Sequence, residues 1–301
     1  MAALRGKKPE AIQKRLKALF YGPAGVGKTT AAIQFPRPYL IDTERGAEND
    51  QYVKLLEDRG GAIFQTSDFG DMIQEVTSLL TSKHDFRTVI IDPLTVVYND
   101  LMEKSAKSLS TKEDSEGTAF GRHRAKADRQ VKHLLNLLLR LDMNVIITSH
   151  AKILWGDGMV KLGNTFDCYA KLDYLFDLVF ELQKRGAGDK SERVGIVRKT
   201  RMTCFPEGQV FPFTYDEIAT RYGRDILESI AKPVVLATPD QVAELMRLVE
   251  VLKLGQDVTD KWLDKASAET FSELTGDAVA ACIDWCRKRV TAANPTAATA
   301  A

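Results

Sequence analysis

Glycine, lysine and threonine stand near the start of the chain at the spacing G-x-x-x-x-G-K-[ST], which suits phosphate binding. The residues are Gly22, Pro23, Ala24, Gly25, Val26, Gly27, Lys28 and Thr29, with Thr30 directly behind them. The glycines let successive backbone N–H groups turn inward around an anion, and a helix that starts here adds further N–H donors. Lys28 can reach the β- and γ-phosphates of ATP, and the Thr29 hydroxyl is placed to ligate Mg²⁺. An apolar run before the pattern and helix-forming residues after it favour this site over a turn that binds nothing.

Polar side chains also end three other apolar runs. They are Asp42 to Glu44 after 39–41, Asp92 after 86–91, and Thr148 to His150 after 144–147. In an open parallel sheet these carboxyl ends all face the ligand crevice. Asp92 is predicted to hold Mg²⁺ opposite Thr29, with a helix-capping role as the alternative. His150 is predicted to sense the γ-phosphate as a neutral donor, and a histidine bonded to the backbone is the alternative.

Cations and glycines in the middle of the chain have two interpretations each. A helix over 120–141 has leucines in its second half and basic residues in its first, which form either a solvated face or a polyanion contact. The glycine-rich stretch 155–164 is either a loop that orders on single-stranded nucleic acid or the tip of a β-hairpin. Arg198 to Arg201 end a strand, where cations either protect a sheet edge or complete a neighbouring subunit's nucleotide site.

Composition limits the class of protein. Of the 301 residues, 44% are hydrophobic and 28% are charged, as in ordinary globular proteins, and the net charge is +1. Nucleic-acid binding would therefore need a local basic patch. The chain contains no secretory signal and no apolar run long enough to span a membrane, and its four cysteines lack a zinc spacing. We expect a cytoplasmic protein without a membrane partner.

The pattern of elements predicts an α/β core followed by a helical module. We expect a flexible N-terminus at 1–13, a core at 14–222, a linker at 223–237, an all-α module at 238–290 and a disordered tail at 291–301. Within the core, 105–118 reads as a mobile polar loop, and strands are expected at 174–182 and 194–199. The module opens with Thr238 as N-cap and Pro239 at the first helical position.

The order of these motifs resembles the RecA-like branch of P-loop ATPases. The phosphate loop comes first, followed by Ile41-Asp42-Thr43-Glu44, then Asp92 at a Walker B strand, then Thr148-Ser149-His150 at a polar sensor position. Pro93 follows Asp92, so the glutamate usual there in the AAA+ branch is missing. The shorter build is similar to phage-type nucleotide-binding proteins, including RecA-like single-strand annealing recombinases. The resemblance implies a mostly parallel central sheet and, for a phage-encoded chain, the host cytoplasm.

The resemblance also implies roles for individual side chains. Glu44 would activate the attacking water, and His150 stands where RecA proteins usually have a Gln sensor. Lys199 and Arg201 look like the paired cations that reach into the ATP site of an adjacent subunit. The glycine-rich stretch after His150 matches the second DNA-binding loop of those proteins, whereas their amino-terminal polymerisation arm is absent or very short.

Two hypotheses of function follow. In the first, the chain binds and hydrolyses ATP with Mg²⁺ and anneals single-stranded DNA as a homo-oligomer, with a single-strand DNA-binding protein as a further partner of the C-terminal module. In the second, it is an ATP-dependent switch or loader that acts through a protein partner and does not bind DNA. A small-molecule or nucleotide kinase is disfavoured because no second Arg-rich acceptor site or lid is present in the sequence.

Overall fold

The computed structural model describes residues 14–110, 122–186, 188 and 191–293. Its strands are β1 (Lys17–Gly22), β2 (Pro38–Asp42), β3 (Ala62–Gln65), β4 (Thr88–Asp92), β5 (Asn144–Trp155), β6 (Lys161–Phe166), β7 (Leu178–Arg185), β8 (Glu192–Thr200) and β9 (Val210–Pro212). Its helices are α1 (Lys28–Ile33), α2 (Asp50–Asp58), α3 (Phe69–Thr81), α4 (Leu94–Ser110), α5 (Arg122–Arg140), α6 (Leu172–Leu175), α7 (Tyr215–Tyr222), α8 (Arg224–Glu228), α9 (Pro239–Val251), α10 (Gln256–Ala266) and α11 (Gly276–Ala293).

The strands of the described ranges form one sheet in the order β3-β2-β4-β5-β1-β7-β8-β9, with β6 paired to β5 outside this path. Every pairing from β3 to β7 is parallel, whereas β8, β9 and β6 pair antiparallel. The predicted mostly parallel central sheet of an α/β core is therefore confirmed, as are the C-terminal helices. The carboxyl ends of β1, β2 and β4 lie together at one end of the strands, beside residues 148–150 of β5. We call this end of the sheet the phosphate-loop edge.

Contacts divide the chain into two compact units. The first comprises the residues up to Ser67, Asp85–Val96 and Met143–Ala231, and the second comprises Asp68–His84, Val97–Asp142 and the residues from Lys232 onward. The first unit holds the whole sheet with α1, α2, α6, α7 and α8. The predicted boundaries at 14–222, 223–237 and 238–290 remain predictions. The predicted flexible start at 1–13 lies outside the described residues, as do residues 294–301 of the tail predicted at 291–301.

The core of the first unit consists of aromatic and aliphatic side chains on one face of the sheet. Phe180 of β7 contacts the rings of Phe20, Phe205, Phe211 and Phe213, with centroids 5.3 to 5.9 Å apart. Buried side chains of α1, α2, α7 and α8 join the same cluster. Burial of this much apolar surface fixes the strands side by side, so that the ends of β1, β2, β4 and β5 are held in register.

The second unit contains α3, most of α4, α5 and the three C-terminal helices. In α5 four leucines are buried and the arginines and lysines of the first half are exposed, so both interpretations of that half remain open. Thr238 caps α9 with a capping box, because its hydroxyl accepts from the Gln241 N–H (3.2 Å) while the Gln241 side chain accepts from the Thr238 N–H (2.9 Å). None of the helices in the described ranges combines the length and apolarity needed to cross a membrane.

Four details differ from the sequence expectations. Residues 105–110 are helical, because i,i+4 ion pairs such as Glu103–Lys107 (2.6 Å) extend α4, while 111–118 lie outside the described residues. The turn α6 occupies 172–175, so the strand expected from 174 starts at Leu178. Helix α8 lies inside the expected linker. Residues 291–293, expected at the start of the disordered tail, belong to α11. Residues 155–164 belong to the β5–β6 hairpin, and binding of single-stranded nucleic acid there remains a prediction.

Candidate functional site

The phosphate loop connects a fully buried strand to a helix, as the sequence predicts. β1 ends at Gly22, and α1 starts at Lys28 with Gly27 as its N-cap. Gly25 and Gly27 have φ angles of 70° and 89°, a region that side chains with a Cβ rarely adopt. A Cβ on Gly22 would lie 2.6 Å from the Leu182 carbonyl oxygen, so the loop starts tightly against β7. This geometry is the one that lets backbone N–H groups surround an anion.

Lys28, Thr29 and Asp92 come together at the centre of the phosphate-loop edge. The Lys28 ammonium donates to the carbonyl oxygens of Gly22 (3.0 Å) and Pro23 (3.2 Å). Asp92 is 8% exposed, its carboxylate accepts a hydrogen bond from the Thr148 hydroxyl, and the Thr29 hydroxyl also interacts with it. Burial raises the pKa of Asp92, while these hydroxyls and the Lys28 charge oppose the rise. Burial also lowers the pKa of Lys28, against the charges of Asp92 and Glu44.

Glu44 and His150 lie in contact on the same edge. Glu44 Oε1 lies 3.2 Å from His150 Nε2, and both side chains are 44% exposed. The turn after β2 aims Glu44, because the buried Asp42 carboxylate accepts from the N–H groups of Glu44 (3.2 Å), Gly46 (3.3 Å) and Ala47 (3.0 Å). His150 pairs with Gly22 in the β1–β5 register, so the imidazole starts beside the phosphate loop. The two residues predicted to handle water and γ-phosphate are therefore in contact.

Hydroxyl groups hold the middle of β5 at Ser149 and His150, and the sequence analysis did not single out one of them, that of Thr95. The His150 N–H donates to the Thr95 hydroxyl (3.0 Å), which lies 3.1 Å from the Ser149 hydroxyl. The Ser149 oxygen in turn accepts from the Asp167 N–H (3.1 Å) at the end of β6. Thr95 carries no motif that marks it, since it is one of several threonines at a helix start. Its contacts connect the base of the β5–β6 hairpin to His150.

The β5–β6 hairpin rises from the phosphate-loop edge with an exposed apolar tip. Its base is fixed to β1, because the Tyr21 hydroxyl donates to the Asn164 carbonyl oxygen (3.3 Å) and the rings of Tyr21 and Phe166 meet edge to face. Toward the tip, Trp155 is 54% and Met159 82% exposed. Lys152 forms an ion pair with Asp167 at 3.2 Å. The hairpin therefore presents large apolar side chains and lysines next to the site.

Lys199 and Arg201 lie at the other end of the strands, opposite the phosphate-loop edge. Thr200 pairs with Leu178, which pairs with Ala18 near the start of β1, whereas the phosphate loop follows the end of β1. The Lys199 ammonium donates to the Phe176 carbonyl oxygen. Arg201 donates to the Tyr174 carbonyl oxygen (2.5 Å) and pairs with Asp177 (3.5 Å). Within one chain these cations are not brought to the phosphate loop, so any role in ATP hydrolysis has to be exerted on a second subunit.

One cation at the phosphate loop was missed from the sequence. Arg193, the second residue of β8, donates from Nε to the Val26 carbonyl oxygen at 3.0 Å. Burial lowers the pKa of its guanidinium. The sequence around Arg193 contains several charged residues without a motif, so only the antiparallel pairing of β8 with β7 shows which of them faces the loop.

The residues present fit a Mg²⁺–nucleotide complex. Thr29 and Asp92 supply hydroxyl and carboxylate oxygens that interact with each other, and hard oxygen donors are the ligands that Mg²⁺ prefers. The positive φ angles of Gly25 and Gly27 and the ammonium of Lys28 fit the phosphates. The donor set therefore agrees with the predicted cofactors.

Comparison with known proteins gives one family match and similarities to solved structures. A family model described as an AAA domain matches residues 14–204. Among solved structures, a RadB recombinase is 21% identical with a TM-score of 0.42, and the match covers 65% of this chain and 84% of that chain. A KaiC-like protein from the hyperthermophilic archaeon Pyrococcus horikoshii OT3 is 15% identical with a TM-score of 0.40, at 65% and 84% coverage. No curated protein sequence matches the chain.

Proposed function

Since the chain belongs to the AAA-domain family, whose model matches residues 14–204, we propose that it is a Mg²⁺-dependent ATPase that acts on single-stranded DNA in phage-type recombination by strand annealing. The observation that carries the ATPase assignment is the convergence of four strand ends. They bring a phosphate loop, a Thr29–Asp92 oxygen pair and a Glu44–His150 pair to one edge of the sheet.

Each side chain at the phosphate-loop edge has its own role in the proposed ATP hydrolysis. Lys28 and the loop N–H groups bind the phosphates, and Thr29 and Asp92 hold Mg²⁺, which when bound neutralises charge that develops on the phosphates. The Glu44 carboxylate accepts a hydrogen bond from water and orients it for attack. His150, 3.2 Å from Glu44, donates toward the γ-phosphate and so links the water to the hairpin base.

We assign the positive charge that stabilises the transition state to a neighbouring subunit. Lys199 and Arg201 would contact the ATP of an adjacent copy in a homo-oligomer, because their position opposite the phosphate loop rules out their own chain's site. A cation that acts on the transition state from another subunit is worth about 10³ to 10⁵ in rate. A dilute monomer should consequently be a poor ATPase, and hydrolysis that is as fast in the monomer as in the DNA-bound assembly would contradict this arrangement.

Single-stranded DNA is the proposed polymer partner of the β5–β6 hairpin. The exposed Trp155 can stack on a base, and Lys152 and Lys161 flank it. Hairpin and active site share the His150 backbone, so binding at the tip can alter the Glu44–His150 pair. A salt titration tests this, because a protein that neutralises Z phosphates of a single strand shows a log K against log salt slope of about −0.7Z. No affinity for single-stranded DNA at low salt with an ATP analogue would overturn the DNA part of the proposal.

The second candidate is an ATP-dependent switch or loader that acts through a protein partner and does not bind DNA. A groove of about 360 Å³ in the C-terminal helices favours it, since Trp262, Trp285 and Lys265 line this groove. A single-strand DNA-binding protein is the partner that would reconcile both candidates. Deleting the C-terminal helices separates them. Hydrolysis that is stimulated by a partner protein and not by DNA alone, and that loses this stimulation on deletion, supports the second candidate, whereas DNA stimulation that survives the deletion supports the first.

A further inference from the structure

The position of Arg193 follows from the sheet register. Arg193 pairs with Lys184 of β7, and β7 runs parallel to β1, so Arg193 lies at the phosphate-loop edge. β7 separates β8 from β1 in the sheet. The Arg193 side chain therefore extends across β7 to reach the loop, and the length of an arginine is needed for this contact.

The Arg193 guanidinium contacts the outer side of the loop at two consecutive residues. Its Nε donates to the Val26 carbonyl oxygen at 3.0 Å. A Cβ on Gly27 would lie 2.2 Å from one terminal nitrogen, 2.7 Å from the central carbon and 2.8 Å from Nε of the same guanidinium. Gly27 is thus required by its φ of 89° and by the close approach of Arg193.

The charge of Arg193 has no carboxylate partner in the described part of the chain. The electrostatic neighbour that it has there is the half-buried Tyr52 of α2, whose side chain is a phenol and not a carboxylate. Removing a cation from water is costly unless an anion compensates. The other arginine of β8, Arg198, does have a carboxylate partner, because its Nε donates to Glu181 at 2.7 Å. An unmatched positive charge next to a loop that suits phosphate points to a ligand anion as its counter-charge.

We infer that Arg193 is a positioning residue of the nucleotide site, which fixes the phosphate loop from outside and adds its unmatched charge to phosphate binding. The inference rests on the proposed nucleotide-binding function. By holding the Val26 carbonyl outward, Arg193 keeps the following N–H groups of Gly27 and Lys28 turned toward the phosphates. The start of β8 thereby becomes part of the nucleotide site, although no motif marks it.

The test is nucleotide binding to the full-length protein by calorimetry, with adenosine, ADP and a non-hydrolysable ATP analogue, each with Mg²⁺. The variants are Arg193→Met, Arg193→Lys and the control Arg185→Met, an exposed arginine at the same sheet edge. We expect Arg193→Met to weaken binding of the ATP analogue about tenfold, the size of a lost hydrogen bond to a charged group. Arg193→Lys should lose less, because it keeps the charge, and the control should bind like the wild type.

A merely structural role would weaken all three ligands together, whereas the inferred role weakens the ATP analogue and ADP and leaves adenosine unchanged. The affinity of Arg193→Met for the ATP analogue should also depend less on salt than that of the wild type. Equal affinities of wild type and both Arg193 variants would overturn this inference while the proposed function stands. Failure of the wild type to bind any nucleotide would overturn both. If Arg193→Met does not fold, the same three affinities are measured for Arg193→Lys. Weaker binding of the ATP analogue and ADP with unchanged adenosine binding supports the inference, and wild-type affinities overturn it.

Discussion

The two edges of the central sheet carry the same kinds of side chain in different surroundings. At the phosphate-loop edge, Lys28, Asp92 and Glu44 face one another, and burial shifts the pKa of Lys28 and Asp92. At the opposite edge, Lys199 and Arg201 donate to carbonyl oxygens next to α6. Lys28 and Arg193 at the first edge donate to carbonyl oxygens of the phosphate loop itself, whereas the carbonyl partners of Lys199 and Arg201 lie at Phe176 and Tyr174, away from that loop.

Strand β8 shows the contrast within nine residues. Because β8 is antiparallel to β7, its first residues reach the phosphate-loop edge and its last residues reach the opposite edge. Arg193 contacts the phosphate loop, Arg198 neutralises the buried Glu181, and Lys199 bonds a carbonyl oxygen. Three cations on one strand thus have three separate roles, which substitutions can test one at a time.

Arg201→Ala is expected to have the largest effect. If Arg201 serves the ATP of an adjacent subunit, the variant loses about 10³-fold or more in the turnover of the assembled protein. Its affinity for nucleotide as a dilute monomer should stay at the wild-type value, because Arg201 lies far from its own phosphate loop in the sheet register. Steady-state hydrolysis with and without single-stranded DNA measures the first quantity, and calorimetry measures the second.

A mixing experiment provides the control for Arg201. Arg201→Ala subunits keep Glu44, and Glu44→Gln subunits keep Arg201, so a mixed oligomer contains sites in which both groups are intact. Mixing the two inactive variants should restore part of the hydrolysis. Activity that stays at the level of the separate variants would contradict a role in the neighbouring site and would leave Arg201 as a structural residue of its own edge.

Glu44→Gln tests the phosphate-loop edge itself. Glutamine keeps the size and a hydrogen bond to His150 but is a far weaker base, so turnover should fall about 10² to 10⁴-fold. Nucleotide affinity should not fall, because the phosphates are held by other groups. Glu57→Gln, an exposed carboxylate change on α2, is the matched control and should hydrolyse ATP like the wild type. A Glu44→Gln enzyme with wild-type turnover would show that another group orients the water.

The contrast between the edges also explains what the sequence could predict. The phosphate loop, Asp92, Glu44 and His150 each follow an apolar run directly, and parallel strand ends meet at one edge, so their convergence was predictable. Arg193 was not, because its position depends on the antiparallel register of β8. Thr95 was missed because its role depends on contacts with Ser149 and His150, which are 54 and 55 positions away. The trans role of Lys199 and Arg201 remains a prediction.

Arg198→Met tests how much the ion pair between Arg198 and Glu181 contributes to the free energy of unfolding. Glu181 is 1% exposed, and its carboxylate accepts from Arg198 and from Gln183 (2.9 Å). Removing the guanidinium leaves a buried carboxylate without its cation, which should lower the free energy of unfolding by about 2 to 3 kcal/mol. Urea denaturation measures the loss. The double variant with Glu181→Gln should recover part of it, and a double variant no more stable than Arg198→Met would show that packing, rather than the unpaired charge, is responsible.

Tyr21→Phe is expected to have the smallest effect and to show it only at high pH. Burial and the neighbouring Glu181 raise the pKa of Tyr21 to about 12, whereas an unfolded tyrosine titrates near 10. The folded state therefore keeps the proton to higher pH than the unfolded chain does. As the pH rises from about 10 to about 12, the free energy of unfolding falls because Tyr21 ionises first in the unfolded chain, and the loss reaches about 1.4 kcal/mol at pH 11. Urea denaturation at pH 8 and pH 11 should show a smaller loss for Tyr21→Phe than for the wild type. Equal losses would mean that Tyr21 ionises no later in the folded protein than in the unfolded chain.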